Sequence, residues 1–168
     1  MRAWIAILAV LGACKGEGGA WVPPDLVVNE LVASNASGLQ DASGAFPDWL
    51  EIANLGDEDV ELSSYTLTDD STLPQKWSFP AGTSIPAGGY LVIFADGDPA
   101  EPGEVHTTFR LEILGEELAI FGPATEDLPL LDQVTYPAQT TDVAWARMPD
   151  GTGEFAADAT PTPGAANE

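Results

Sequence analysis

The chain of 168 residues is poor in cysteine, in histidine and in basic residues. One cysteine excludes an intramolecular disulfide, and one histidine argues against a zinc site built from histidine and cysteine. Five lysines and arginines stand against 27 aspartates and glutamates, which gives a formal net charge of −22. Such a charge repels phosphate backbones, so we expect no nucleic-acid binding. Solubility is the simplest role for the acidic surface, and cation binding or a basic partner are the others.

The amino-terminal apolar run, residues 3–11 after Met1-Arg2, is too short to span a bilayer as a helix, which takes about 20 residues. It has the length of the apolar region of a signal peptide. Leu11-Gly12-Ala13-Cys14 follows directly and resembles a bacterial lipobox. The resemblance implies cleavage before Cys14 and a lipid on its sulfur, and Lys15 favours the outer membrane. An ordinary secretory signal with a cysteine near its cleavage site is the alternative.

These features divide the chain into three parts. Residues 1–13 form the predicted lipoprotein signal, residues 14–25 a lipidated cysteine with a spacer rich in glycine and proline, and residues 26–168 a single domain. The leader carries none of the acidic residues, so a covalent lipid, rather than attraction to anionic headgroups, would hold the mature protein on the bilayer. Trp21, in the spacer, could lie at the membrane interface.

The body of the chain is interrupted at short intervals by 17 glycines and 14 prolines, counted over the whole sequence, which favours short strands over long helices. Val60-Glu61-Leu62 and Trp77-Ser78-Phe79 alternate as half-buried strands do. Residues 90–94 are apolar throughout, which predicts a central strand. We predict strands at 26–33, 49–54, 60–62, 65–68, 76–79, 90–95, 107–111, 117–121, 131–136 and 143–148. This spacing predicts an all-β fold, a β-sandwich.

Four stretches of the body together resemble the lamin-tail domain, an immunoglobulin-like sandwich found in nuclear lamins and widely in bacterial exported proteins. They are Val28-Asn29-Glu30-Leu31; Asp48-Trp49-Leu50-Glu51-Ile52 with Asn54; the run from Leu62 through Tyr65, Leu67 and Asp69 to Phe79-Pro80-Ala81-Gly82-Thr83 and Pro86-Ala87-Gly88-Gly89-Tyr90-Leu91; and Arg147-Met148-Pro149-Asp150-Gly151 with Pro161-Thr162-Pro163-Gly164-Ala165-Ala166-Asn167. The resemblance implies an antiparallel immunoglobulin-like sandwich with a binding or scaffold role and no catalytic residues. We assign structural roles within it to Asn29, Glu30, Trp49, Asp69, Arg147, Asp150 and Gly151.

An acidic constellation frames one loop and the strand after it: Asn35, Asp41, Asp48 and Glu51. Carboxylates and an amide around a glycine are the ligand types that calcium takes, although the spacing is not that of an EF-hand. We favour a structural interpretation in which Asp48 caps the loop. Asn29 or Glu30 would then satisfy buried backbone groups, since one of two adjacent strand residues must face the core. We therefore expect no cofactor, with a structural calcium ion as the alternative.

Catalytic machinery is not evident in the sequence. His106 is the only histidine, no Gly-x-Ser-x-Gly motif occurs, and we interpret His106 as a surface residue near the start of a strand. Carboxylate pairs are expected by chance among so many acids, so they do not by themselves predict glycoside hydrolysis. Arg147 should form a partly buried ion pair, with Asp142 or Asp150 as candidates. We expect a protein that is not an enzyme.

The aromatic residues are expected mostly in the core, although Trp77 or Trp145 could form a sugar-binding platform. Two functions follow from the sequence. The first is a lipid-anchored, non-catalytic binding or scaffold module whose partner is an envelope protein or glycan. The second is a calcium-supported module that binds carbohydrate or another ligand.

Overall fold

The computed structural model describes residues 20–99 and 103–168. The predicted signal peptide and the lipidation site at Cys14 lie outside these ranges. The described chain forms strands β1 (Leu26–Val32), β2 (Trp49–Asn54), β3 (Val60–Glu61), β4 (Thr66–Thr68), β5 (Trp77–Ser78), β6 (Ser84–Ile85), β7 (Tyr90–Phe94), β8 (Glu117–Phe121), β9 (Leu130–Thr135), β10 (Ala144–Met148) and β11 (Glu154–Asp158). A short 3-10 helix at Ala124–Glu126 connects β8 to β9.

The strands form two main sheets and a small third one. The first sheet has five strands in the order β11-β10-β1-β2-β7, and the second has four in the order β5-β4-β8-β9. β3 and β6 pair separately, and all of these pairings are antiparallel. The all-β, immunoglobulin-like sandwich predicted from the sequence is confirmed.

The main core lies between the two sheets. Alternating residues of β1 and β2, such as Val28 and Ile52, point their side chains inward and are completely buried against Leu67, Leu118 and Ile120 of the other sheet. A second apolar cluster lies on the opposite face of the five-stranded sheet: Val32, Trp49, Phe94, Ala144 and Ala146. This sheet is therefore apolar on both faces, and its outer face also needs a cover.

A β-bulge at Asn29 changes the face on which the following residues lie. The register between β1 and β2 shifts between Val28 and Glu30, so that Glu30 pairs with Glu51. Asn29 and Glu30 are both completely buried, although only one of two adjacent strand residues was expected to be. The bulge places both side chains on the outer face of the sheet, where Asn29 donates to Glu51 and the Thr162 N–H reaches Glu30.

The strand predictions were right where short apolar segments define a strand locally. The bounds of β2 and β8 match the predicted ones. The central position predicted for residues 90–94 is wrong, because β7 lies at the edge of its sheet. The strand predicted at 107–111 is also wrong: His106 and Arg110 form only isolated bridges, and the Thr107 hydroxyl donates to the Phe109 carbonyl two residues on. β6 and β11 were missed.

Candidate functional site

The loop before β2 is braced by two of the residues predicted to bind calcium. Asp48 accepts the backbone N–H of Asn35 at 2.8 Å, which matches the structural interpretation of Asp48. The Asn35 amide donates to the carbonyls of Leu39 and Pro47, and its oxygen accepts the N–H of Gly38. The side-chain nitrogen and oxygen of Asn35 are therefore both hydrogen-bonded to the loop's own backbone.

The other two calcium candidates lie apart from this pair. Asp41 closes its own exposed turn by accepting the N–H groups of Ser43 and Ala45, and the hydrogen bonds from Ser43 lower its pKa. Glu51 is completely buried in β2 and faces a different set of residues. Within the described ranges, no group of three or more His, Cys, Asp and Glu side chains is arranged to hold a metal ion. The four candidates therefore do not converge on one site.

A buried polar network on the outer face of the five-stranded sheet unites several residues predicted to be structural. The Asn29 amide donates to Glu51 at 2.9 Å and to Asp150 at 3.0 Å. Its oxygen accepts the N–H of Gly151. Tyr90 donates its hydroxyl proton to Asp150 at 2.7 Å, and mainly for this reason the pKa of Tyr90 is raised to about 12. The bulge in β1, the β10–β11 turn and β7 are thus tied together through side chains.

Residues 160–167, here called the C-terminal segment, cover this network. The Thr162 N–H reaches the Glu30 carboxylate at 3.1 Å, and the Gly164 N–H reaches Glu51 at 2.6 Å. Asn167 donates its side-chain amide to the carbonyls of Asn29 and Arg147. The segment crosses a sheet face that carries two buried carboxyl groups and bonds both of them with backbone N–H groups.

Burial controls the protonation of these two carboxyl groups. Loss of hydration is the largest influence on Glu30 and Glu51, and it raises the pKa of each to about 7. The N–H groups of the C-terminal segment and the Asn29 amide act against this rise, whereas the charges of Glu51 and Asp158 add to it for Glu30. Near neutral pH each carboxyl group is therefore partly protonated and partly ionised.

Arg147 links the two main sheets, but through neither of the predicted partners. Its guanidinium binds both oxygens of Asp132 on β9, at 2.9 and 3.0 Å, and also donates to the Val28 and Gly153 carbonyls. The pairing predicted with Asp142 or Asp150 is wrong. Asp150 belongs to the Asn29 network described above. Asp142 instead accepts the N–H groups of Ala36 and Ser37.

Asp69 and Trp49, the other predicted structural residues, have separate local roles. Asp69 forms an ion pair with Lys76 beside the four-stranded sheet. Trp49 is almost completely buried in the second apolar cluster.

His106 is buried, so its predicted position at the surface is wrong. Its side chain is 0% exposed, with Nδ1 at 3.0 Å from Asp96 and Nε2 at 3.6 Å from Glu104. The ring also packs against Phe94. The neighbouring Thr107 hydroxyl donates to Phe109 and is not available to His106 as a nucleophile. The residues missed from sequence were Asp96 and Glu104, which are distant from any motif.

The tryptophans predicted as a sugar platform are used in packing. Trp77 is only 6% exposed and meets Phe79 edge to face at 4.8 Å, which confirms its expected place in the core and excludes it from the alternative, a sugar platform. Trp145 packs against the main core and stacks on Phe155. Trp77 therefore presents no open flat face to a sugar, and one face of the Trp145 ring lies towards Phe155.

The family model of the Lamin Tail Domain matches residues 22–147. The chain belongs to the lamin-tail domain family. The match confirms the family inferred from the sequence; it contains the first three of the four stretches and ends at Arg147, the first residue of the fourth. A search of curated proteins finds no match.

Residues of the predicted spacer make contacts with the domain. The Asp25 carbonyl accepts the N–H of Leu55, and the tip of the Trp21 ring lies close to Gly122, on the β8–β9 connection. Part of the predicted spacer therefore packs on the domain. In the part of the chain that the structure describes, no helix has the length and hydropathy needed to cross a membrane.

Proposed function

We propose that this chain is a lipid-anchored, non-catalytic lamin-tail domain of the bacterial cell envelope that binds or scaffolds another envelope molecule. The observation that carries the proposal is the lipobox-like order Leu11-Gly12-Ala13-Cys14 directly after an apolar run. A lipid on Cys14 would insert into the bilayer, since each buried methylene contributes about 0.8 kcal/mol.

The distance between the lipid and the domain is short. Five residues, 15–19, separate Cys14 from the first described residue, Ala20, so the two can be at most about 20 Å apart when the chain between them is extended. Because Trp21 packs beside Gly122, the chain enters the domain at the end of the four-stranded sheet where β8 meets β9. This end would face the membrane, and the opposite loops would face outward.

The buried acids support a non-catalytic role. Carboxyl groups with a raised pKa often mark active sites, and Glu30 and Glu51 are such groups. Both are completely buried, and the C-terminal segment lies over them and bonds to them. A substrate could not reach these groups unless that segment moved away.

The anchor is tested by changing Cys14→Ser in the full-length chain. We expect the variant to leave the detergent phase and appear in the soluble fraction, and mass spectrometry of the wild-type amino-terminal peptide should show the acyl mass. Lys15→Asp is the matched control, because it leaves the cysteine intact and should change the sorting between membranes without releasing the protein. Membrane association of Cys14→Ser equal to that of the wild type would refute the anchor.

The binding role has its own test. A glycan array and a cross-linking experiment on intact cells, both with the wild-type protein, distinguish a glycan partner from a protein partner. A protein cross-linked reproducibly at a defined face supports the scaffold role, whereas glycan binding supports the alternative of a carbohydrate-binding module. Turnover of a substrate by the purified protein would refute the non-catalytic assignment.

A further inference from the structure

The outer edge of β7 carries unpaired backbone groups. β7 pairs with β2 along its inner side, whereas on its outer side Phe94 alone is bonded among residues 20–99 and 103–168. The Phe94 N–H donates to the Val105 carbonyl and the Phe94 carbonyl accepts the N–H of Thr107, both at 2.8 Å. Backbone groups of alternate strand residues point to the same edge, so those of Val92 and Tyr90 point outward as well. They have no backbone partner in the described chain.

Two grooves border this edge: the first is mostly apolar, and the second, which includes Thr83 and Ser84, is about half polar. Val92 is half-buried against the second apolar cluster and borders a groove of about 290 Å³ with Leu39 and Pro163. Leu91 is half-buried against the main core and borders a groove of about 340 Å³ with Thr83 and Val105. Successive side chains of a strand point to opposite faces. An extended chain laid along β7 would therefore place its side chains alternately in the two grooves.

The charge of this region favours a basic partner. Glu104 lies at both grooves and is the one charged residue in their described linings. The chain as a whole carries a net charge of −22, so a second copy of it would be repelled. A segment with apolar residues and a lysine or arginine at the end that meets Glu104 complements both features.

We infer that the edge of β7 binds an extended, apolar and basic polypeptide segment of a partner protein, which adds to the five-stranded sheet as a further strand. Backbone hydrogen bonds to Val92 and Tyr90 would supply affinity, and the two grooves with Glu104 would select the sequence. This inference rests on the proposed binding role and is independent of the lipid anchor.

The test uses the full-length protein and a synthetic heptapeptide with valine at its central positions and lysine at both ends. A control peptide carries an N-methyl group at every residue, which removes the backbone N–H groups on both of its edges and keeps the side chains. Titration followed by amide resonances should shift Tyr90 and Val92, and the N-methylated peptide should bind at least about tenfold more weakly.

Two variants at Val92 distinguish the contribution of the backbone N–H to peptide affinity from that of the side chain. Val92→Pro removes an outward N–H that the sheet itself does not use, a position at which an edge strand tolerates proline. Val92→Ala keeps that N–H and shortens the side chain. We expect about a tenfold loss of affinity for Val92→Pro and less than about a threefold loss for Val92→Ala. If the amide spectrum of Val92→Pro shows that this variant does not fold, the inference is tested by the comparison of the two peptides on the wild-type protein.

Three results would overturn the inference. They are equal binding of the N-methylated peptide, peptide-induced shifts that are absent from β7, and shifts of Tyr90 and Val92 that grow with protein concentration in the absence of peptide. The last would assign the edge to a second copy of the chain. Binding at another face would refute the β7 edge and leave the general binding role intact.

Discussion

Glu30 and Glu51 lie directly opposite each other on β1 and β2, and both side chains are completely buried. Two carboxylates in this arrangement repel each other and have lost their hydration, so ionisation is costly in the folded state. The pKa of each is raised to about 7 from an ordinary value of 4.5. The pair therefore couples folding to pH.

The pair predicts that the protein becomes less stable as pH rises from about 5 to 8. In this window the unfolded chain has released protons that the folded chain still holds, so the free energy of unfolding falls with pH, by roughly 2 to 3 kcal/mol for each of the two groups. Carboxyl groups with a lowered pKa, such as Asp142, act in the opposite direction but only near and below their ordinary value of 3.8. Urea unfolding followed by tryptophan fluorescence at several pH values measures the slope.

The matched variant for this prediction is Glu30→Gln. Glutamine still offers an oxygen to the Thr162 N–H and carries no titratable proton. Its unfolding free energy should change with pH only about half as steeply as that of the wild type. An unchanged slope would mean that the pH dependence comes from other groups.

The ion pair between Arg147 and Asp132 predicts a large cost on mutation. Arg147→Met leaves the Asp132 carboxylate without its cation and the Val28 carbonyl without a donor, and we expect a loss of about 3 kcal/mol. Lys76→Met is the control, since Lys76 also pairs with an aspartate but is about one-third exposed, and it should cost about 1 kcal/mol or less. Chemical unfolding of both variants checks the difference; equal losses would contradict it.

Gly151 should tolerate alanine less well than Gly44. Both glycines have positive φ, 63° and 83°, which costs an alanine about 1 kcal/mol. At Gly44 the added methyl group meets open space, whereas at Gly151 it would lie 2.5 Å from the Leu55 side chain. We expect Gly151→Ala to lose about 2 kcal/mol in total and to disturb the N–H bond to Asn29. Thermal melts of the two variants test this order.

Calcium should leave the stability unchanged. Asn35 is fully used by backbone groups, and Asp48 bonds the Asn35 N–H, so we expect the melting curves in calcium and in chelator to coincide. Asp48→Ala should lower the free energy of unfolding by about 1 kcal/mol equally in both solutions. A calcium-dependent shift of the wild-type curve that Asp48→Ala abolishes would instead establish the alternative, a structural calcium site.

The sequence predicted those parts of the fold that local pattern determines. β2 and β8 were correct in both bounds because each is a short, mostly apolar segment with buried residues on both faces. β11 was missed because Glu154–Asp158, with alanines and acidic ends, has little strand propensity and becomes a strand only through pairing with β10. The edge position of β7 was missed for a related reason. An apolar strand can be covered by loops as well as by neighbouring strands.

The candidate site was predictable as a set of residues but not as a geometry. Asn29, Asp150 and Gly151 were assigned structural roles and do meet in one network. The partner of Arg147 was not foreseeable, because Asp132 lies on the other sheet and sheet stacking leaves no mark in local sequence. The cover over Glu30 and Glu51 was also missed, since residues 160–167 have no strand pattern and are positioned by hydrogen bonds to carboxylates and carbonyls far away in the sequence.

The Asn167 amide donates hydrogen bonds to the Asn29 and Arg147 carbonyls, and these bonds can form only late in the synthesis of the chain. Asn29 is synthesised 138 residues before Asn167. The outer sheet surface that contains Val32 and Phe94 therefore stays uncovered until nearly the whole domain has been synthesised. A nascent or truncated chain that ends before residue 160 would expose this apolar surface to chaperones and proteases. Synthesis of residues 160–167 thus becomes a condition for covering this surface.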